Sequence, residues 1–209
     1  ISAPIKIEPL TKPGDVWISP SKQNTVRNKE FSCEIHLNSG DQKISSFDIQ
    51  LGLDSSFIDV DLPAGLNGVS AGVDGFVDEV IPDDTGTFRI KGNDIQGTGP
   101  GNDLHLLTVS LKSKETIGET GLSLIINTLE DPSLQTIGTP EGIPGIVNIH
   151  NIIIGDANRD TLINILDAYC VSSCLYSCWP PHDHDPENCD VNNDGTIDIV
   201  DSLVIAHYS

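Results

Sequence analysis

Carboxylates and carboxamides recur at alternate positions twice in the last quarter of this chain, in "GDANRDTLINILD" and again in "CDVNNDGTIDIVD". Counted from Asp156, side-chain oxygens fall at positions 1, 3, 5, 9 and 12: Asp156, Asn158, Asp160, Asn164 and Asp167. Counted from Asp190, the same positions hold Asp190, Asn192, Asp194, Asp198 and Asp201. A hard cation such as calcium takes about six to eight oxygens, and an EF-hand-type loop of about twelve residues supplies them at this spacing, one of them a backbone carbonyl. That carbonyl belongs to Leu162 in the first loop and to Thr196 in the second. Asp and Asn are ordinary turn residues, so one such loop would say little; two in one register point to a pair of Ca2+ ions. Ile163 and Ile197 follow that carbonyl in each loop and are expected side by side in a small core between the paired loops. Two departures from the general pattern stand out. Where a left-handed turn favours glycine, the second loop has Gly195 but the first has Thr161. Each loop also ends in Asp rather than Glu, so it must close more tightly for that carboxylate to chelate through both oxygens.

The elements that hold these loops are mostly strands. "EFSCEIHL" sets Phe31, Cys33, Ile35 and Leu37 on one face and Glu30, Ser32, Glu34 and His36 on the other, the two-residue period of a half-buried strand. "SSFDIQLGL" repeats it with Phe47, Ile49, Leu51 and Leu53. Further strands are predicted at 57–62, 75–81, 87–92, 104–111, 121–129 and 145–154. About eight short strands between Gly, Asn, Asp and Pro clusters predict a mainly β fold, an antiparallel two-sheet β-sandwich of jelly-roll or immunoglobulin-like type. No helix is predicted before about residue 164, where the loops give way to apolar runs. The chain thus divides into a sandwich over 1–153 and a small helical calcium-binding domain over 154–209.

Charge narrows the partners. Thirty-one acidic against 11 basic residues leave a formal −20, which repels nucleic acid and anionic membrane surfaces. No window approaches the roughly 18 continuous apolar residues of a membrane span, and "ISAPIKIEPL" lacks the layout of a signal segment, as expected of a mature chain or a fragment.

With those residues in view, the stretch from Gly155 to Tyr208 resembles a dockerin, a duplicated calcium-loop-plus-helix repeat with Asp at the end of each loop. The sandwich is similar, more loosely, to a cohesin, through "WISPSKQNTV", "NKEFSCEIHLN", "ISSFDIQLGLDSSFIDV" and "LHLLTVSLKSK". The resemblance implies a protein-binding role, with contact made by the two helices that follow the loops. The residues it places there are Ile165 and Leu166 in the first repeat and Ile199 and Val200 in the second, continued by Leu203 and His207. The opposing expectation is that these aliphatics pack the helices onto each other or onto the sandwich.

From residue 151 onward there are ten acidic residues and a single base, Arg159, a formal −9 of which two divalent ions would return four charges. Metal binding and folding are therefore expected to be one event in this segment. Cys170, Cys174, Cys178 and Cys189 lie between the loops, and in a calcium-dependent, extracellular domain disulfides are the favoured reading, with the first helix ending near Ser173 if two form. A zinc site using these thiols with His182 and His184 is the alternative, though the spacings fit no common zinc pattern. Cys33 is expected to be an inert buried thiol, Trp179 to cover the cysteine cluster or else to stand exposed as a contact, and His36, His105 and His150 fall on outer strand positions with no assigned role.

No nucleophile, general-base or phosphate-loop motif is present, so the chain reads as non-catalytic. The expected function is secreted or cell-surface assembly, by calcium-dependent binding to a cohesin-type sandwich of another protein or by self-association, attaching modules to a scaffold. The alternative is a carbohydrate-binding sandwich with its tail docked within the same chain. Sugar stacking needs exposed rings, and residues 1–154 hold one Trp and no Tyr.

Overall fold

Alternating burial along β3 (Glu30–Leu37) and β4 (Ile44–Gly52) puts Cys33, Ile35, Phe47, Ile49 and Leu51 into one core, as the period-two pattern requires. The computed structural model describes residues 11–60, 65–82, 86–151, 153–157, 162–176, 189–192 and 196–208, with the backbone alone at 173–176 and 208. Two compact units divide the chain, Ile1–His150 and Asn151–Ser209, a boundary three residues before the one expected from sequence.

The first unit is a two-sheet sandwich. One sheet runs β11 (Glu141–Ile143), β1 (Asp15–Ser19), β3, β9 (Leu104–Ser113), β5 (Ile58–Val60), with β6 (Val69–Ala71) also paired to β9. The other runs β2 (Lys22–Val26), β12 (Gly145–His150), β10 (Gly118–Glu130), β4, β8 (Thr87–Thr98), β7 (Glu79–Pro82). Between them, Ile18, Ile35, Ile44, Ile49, Leu106 and Leu111 are fully buried and carry the apolar burial that stabilises the unit.

Two pairings depart from the antiparallel expectation: β1 with β11 and β2 with β12 are parallel. Both follow from proline. Pro20 separates β1 from β2 and Pro144 separates β11 from β12; lacking an N–H, each breaks its ladder and the chain changes sheet there. The first and last strands of the sandwich are thereby split, one half in each sheet.

Other differences are local. The strand expected over 75–81 is confined to β7, because residues 72–75 form a turn laid against β9, with Gly72 N–H donating to Leu106 O and Asp74 N–H to His105 O. The strand at 87–92 continues to Thr98, and the one at 145–154 stops at His150. A bulge in the β3–β9 pairing sets Ile35 opposite Leu107 but His36 opposite His105, so that both Leu106 and Leu107 are fully buried. Gly92 is required by contact: a Cβ there would lie 2.7 Å from the rings of Phe47 and Phe76, themselves 5.2 Å apart.

Cys33 behaves as expected of a core thiol; burial pushes its pKa up to about 12, which removes the reactive thiolate. On the outer face of β4, the Arg89 guanidinium of β8 grips Asp48 through Nε at 2.9 and 3.0 Å and holds that carboxyl below the usual carboxylate range.

Leu107→Ala, at the bulge, is expected to cost about 3 kcal/mol of sandwich stability, read as a lower urea midpoint with an unchanged slope. A loss below about 1 kcal/mol would mean that the bulge collapses to fill the space.

Candidate metal centre and helix face

Both loop ends are built by one local device. In the first, Asn164 precedes α1 (Ile165–Tyr176); its side-chain oxygen accepts from Leu166 N–H at 2.8 Å, and Asp167 Oδ2 accepts from Asn164 N–H at 2.8 Å. In the second, Asp198 precedes α2 (Ile199–Tyr208); its Oδ1 accepts from Val200 N–H at 2.7 Å, and Asp201 Oδ2 accepts from Asp198 N–H at 2.8 Å. Each pair is a reciprocal capping box, an N-cap side chain with a carboxylate three residues on that reaches back to the cap's own N–H. The helices therefore start at Ile165 and Ile199, where the loop register places them.

The loop-terminal carboxylates do more than cap. Asp201 Oδ1 also accepts from Val191 N–H at 3.0 Å and Asn192 N–H at 3.4 Å, which folds the start of its loop onto its end. Asp167 and Asp201 are fully buried and Asp156 nearly so, while Asp190, Asn164 and Asp198 are half-buried. Burying an ionised carboxylate is costly unless positive charge or donors meet it. The sequence from 151 to the end contains no Lys and a single Arg, so most of that compensation must come from backbone N–H groups or a cation. This donor set, all oxygen and largely anionic, fits a calcium ion and not a soft metal. Asn158, Asp160 and Asp194 lie outside the described residues; among the described residues no group of three His, Cys, Asp or Glu side chains is poised around one point.

A small core joins the two helices: Ala157, Ala168, Val171, Cys189 and Ile205, flanked by Cys170, Val191 and Ile197. Ser202 Oγ, on α2, donates to Ala168 O of α1 at 2.7 Å. The expected pairing of two isoleucines is only half realised. Ile197 packs on this core, but Ile163 is 44 % exposed and lies against Gly155, whose φ of +96° opens the first loop. The space between the helices is filled instead by Val171 and Ile205 over two alanines.

The aliphatics expected at the helix starts are not consumed by this core. Ile165 is 61 % exposed, Leu166 58 %, Ile199 46 %, Val200 46 % and Leu203 62 %, and His207 is exposed as well. Tyr169, which occupies in α1 the place of Leu203 in α2, is 70 % exposed and was missed from sequence. Helix periodicity signals it, four residues after Ile165 on the same face. The capping boxes were also legible, as "NILD" and "DIVD".

Among the cysteines, Cys189 is buried and Cys170 half-buried in the same small core; the side chain of Cys174, and all of Cys178, Trp179, His182 and His184, lie outside the described residues. Helix α1 runs to Tyr176, past the end near Ser173 that two disulfides would favour. His36 lies on the outer face, as expected, yet is buried at 5 % exposure between Trp17 and His105.

Known proteins share this architecture. Residues 154–208 match the dockerin type I domain. The dockerin match thus takes in both loops and both helices, beginning at Ile154. The rest of the chain has the fold of cohesin modules. The seventh type I cohesin of ScaB from Pseudobacteroides cellulosolvens superposes with a TM-score of 0.54 at 18 % identity, over 66 % of this chain and 93 % of that one. A non-cellulosomal cohesin from the hyperthermophilic archaeon Archaeoglobus fulgidus gives 0.54 at 14 % identity, over 68 % and 93 %. The sixth cohesin of scaffoldin B from Acetivibrio cellulolyticus, solved in complex with a Cel5 dockerin mutant, gives 0.53 at 14 % identity, over 65 % and 98 %. No curated protein sequence matches this chain.

Asn164→Ala and Asp198→Ala are each expected to cost about 1 kcal/mol of helix-unit stability through the lost cap. Asp201→Ala is expected to cost more, roughly 2–3 kcal/mol, because it strands several backbone donors at once. Helical circular dichroism against temperature reads both; equal losses at 198 and 201 would contradict the double role given to Asp201.

Proposed function

We propose that residues 154–208 bind two calcium ions and present the paired starts of α1 and α2 to a cohesin-type sandwich of another protein. The observation that carries this reading is the exposure of Ile165, Leu166, Ile199, Val200 and Leu203 at matched places in the two repeats. Apolar side chains left in water on a unit with so small a core mark a docking face. Asp156, Asn158, Asp160, the Leu162 carbonyl, Asn164 and Asp167 would hold one ion, and Asp190, Asn192, Asp194, the Thr196 carbonyl, Asp198 and Asp201 the other. Calcium supplies charge compensation to the buried carboxylates when bound. The chain's own part is to cap both helices from those same carboxylates, so that the exposed aliphatics stand at fixed places.

The dockerin match and the cohesin fold both belong to interaction modules, and they support a non-catalytic role in extracellular assembly, attaching modules to a scaffold or surface. Disulfides within the 170–189 stretch fit an oxidising location, and Cys170 and Cys189 already share one core. Self-association is the second reading, favoured by one observation: the chain carries a cohesin-like sandwich beside its own dockerin-like repeats. Carbohydrate binding draws no such support, because the exposed large hydrophobic residues of the described sandwich are all aliphatic.

Chelation with EDTA is expected to abolish the helical signal while leaving the sandwich melt in place; an unchanged amide-exchange pattern in 151–209 would contradict it. Pull-down from the native secretome with the intact chain is expected to recover a cohesin-bearing protein. Asp156→Ala with Asp190→Ala should lose it, and Ile165→Asp with Leu166→Asp should weaken it at least tenfold without loss of calcium. Sedimentation at rising concentration tests the second reading, for which a monomer up to high micromolar in calcium is the adverse result.

A further inference from the structure

The outer face of the β1–β3–β9 sheet carries a buried side-chain cluster apart from the calcium loops and the helix face. His36 points away from the sandwich core yet is 5 % exposed. Its Nδ1 lies 2.5 Å from Asp103 Oδ1 and its Nε2 2.8 Å from Glu34 Oε2. Trp17 on β1 and His105 on β9 stand opposite it in the strand register, and both stack on its ring, with centroids 5.6 and 5.2 Å away.

A neutral imidazole offers one N–H and one lone pair, whereas an ionised carboxylate only accepts. With a carboxylate oxygen at each nitrogen, a neutral ring would set lone pair against lone pair at one of the two contacts. Exposure is too low for water to intervene. An imidazolium donates at both ends and satisfies both carboxylates with charge-assisted bonds, and the face of Trp17 adds cation–π attraction.

We infer that Glu34, His36 and Asp103 form a proton-retaining clasp, in which the His36 ring carries both N–H protons and fastens the entry to β9 onto β3. The remaining groups that face it agree with this. His105 Nε2 is engaged with Thr108 Oγ1 at 3.0 Å, and Asp74 Oδ2 accepts the His105 backbone N–H at 3.1 Å, adding negative charge on the same side. The clasp ties the two strands through side chains of Glu34 and His36 on β3 and of Asp103 just before β9.

Ring-nitrogen NMR of the full chain with calcium at pH 7.5 tests the clasp. Two protonated nitrogens on His36 are expected, and a single neutral tautomer would overturn it. Asp103→Asn supplies a carboxamide N–H to Nδ1, so this variant should show a one-proton ring. Should that chain not fold, Glu34→Gln, at the half-exposed end of the clasp, carries the same readout. A ring that keeps both protons in the variant that folds would also overturn it.

Discussion

A carboxylate at the end of each loop joins two jobs that are separate in most helices. Asp167 and Asp201 complete the cap of the helix that follows and, with their buried oxygens, wall the oxygen-rich loop that precedes it. In the proposed calcium loops, cap and cage would share atoms. The first turn of each helix is therefore positioned by the same side chain that an ion would hold, and the register of Ile165 and Ile199 depends on it. Among the described residues of this unit the buried apolar set is two alanines, a valine, an isoleucine and a cysteine, which leaves the caps a large share in fixing that register.

The sandwich makes a different use of its sequence. Its core is large enough to stand on apolar packing alone, and identities of 14–18 % to cohesins of the same architecture indicate how loosely that packing constrains individual residues. What such likeness conveys is the layering of strands. The faces that would distinguish one partner from another are carried by outward side chains, where the Asp48–Arg89 pair and the aliphatics Ile81 and Ile125 differ from the alternation that builds the core.

Much of this was legible in the residues. The dockerin resemblance placed the helix starts at Ile165 and Ile199, and period-two alternation located β3 and most of β4, β9 and β10, since those signals are local. The short strands β6 and β11 left no such trace; three residues cannot show a period, and their pairing partners lie far along the chain. The burial of His36 left no trace for a related reason. Alternation correctly turned it away from the core, but burial there comes from Trp17 and His105 on neighbouring strands, a relation that only the β3 register with β1 and β9 creates. The helix face was foreseen as a contact surface with packing as the alternative, and the exposure of Ile165 and Val200 decides between them among the described residues.

The two proline breaks have a mechanical consequence. They leave the opening strands of the sandwich side by side with its closing strands, running the same way, in both sheets. Tension applied between residue 15 and residue 150 would load the hydrogen bonds of each ladder together, in shear, rather than peel them singly from an end.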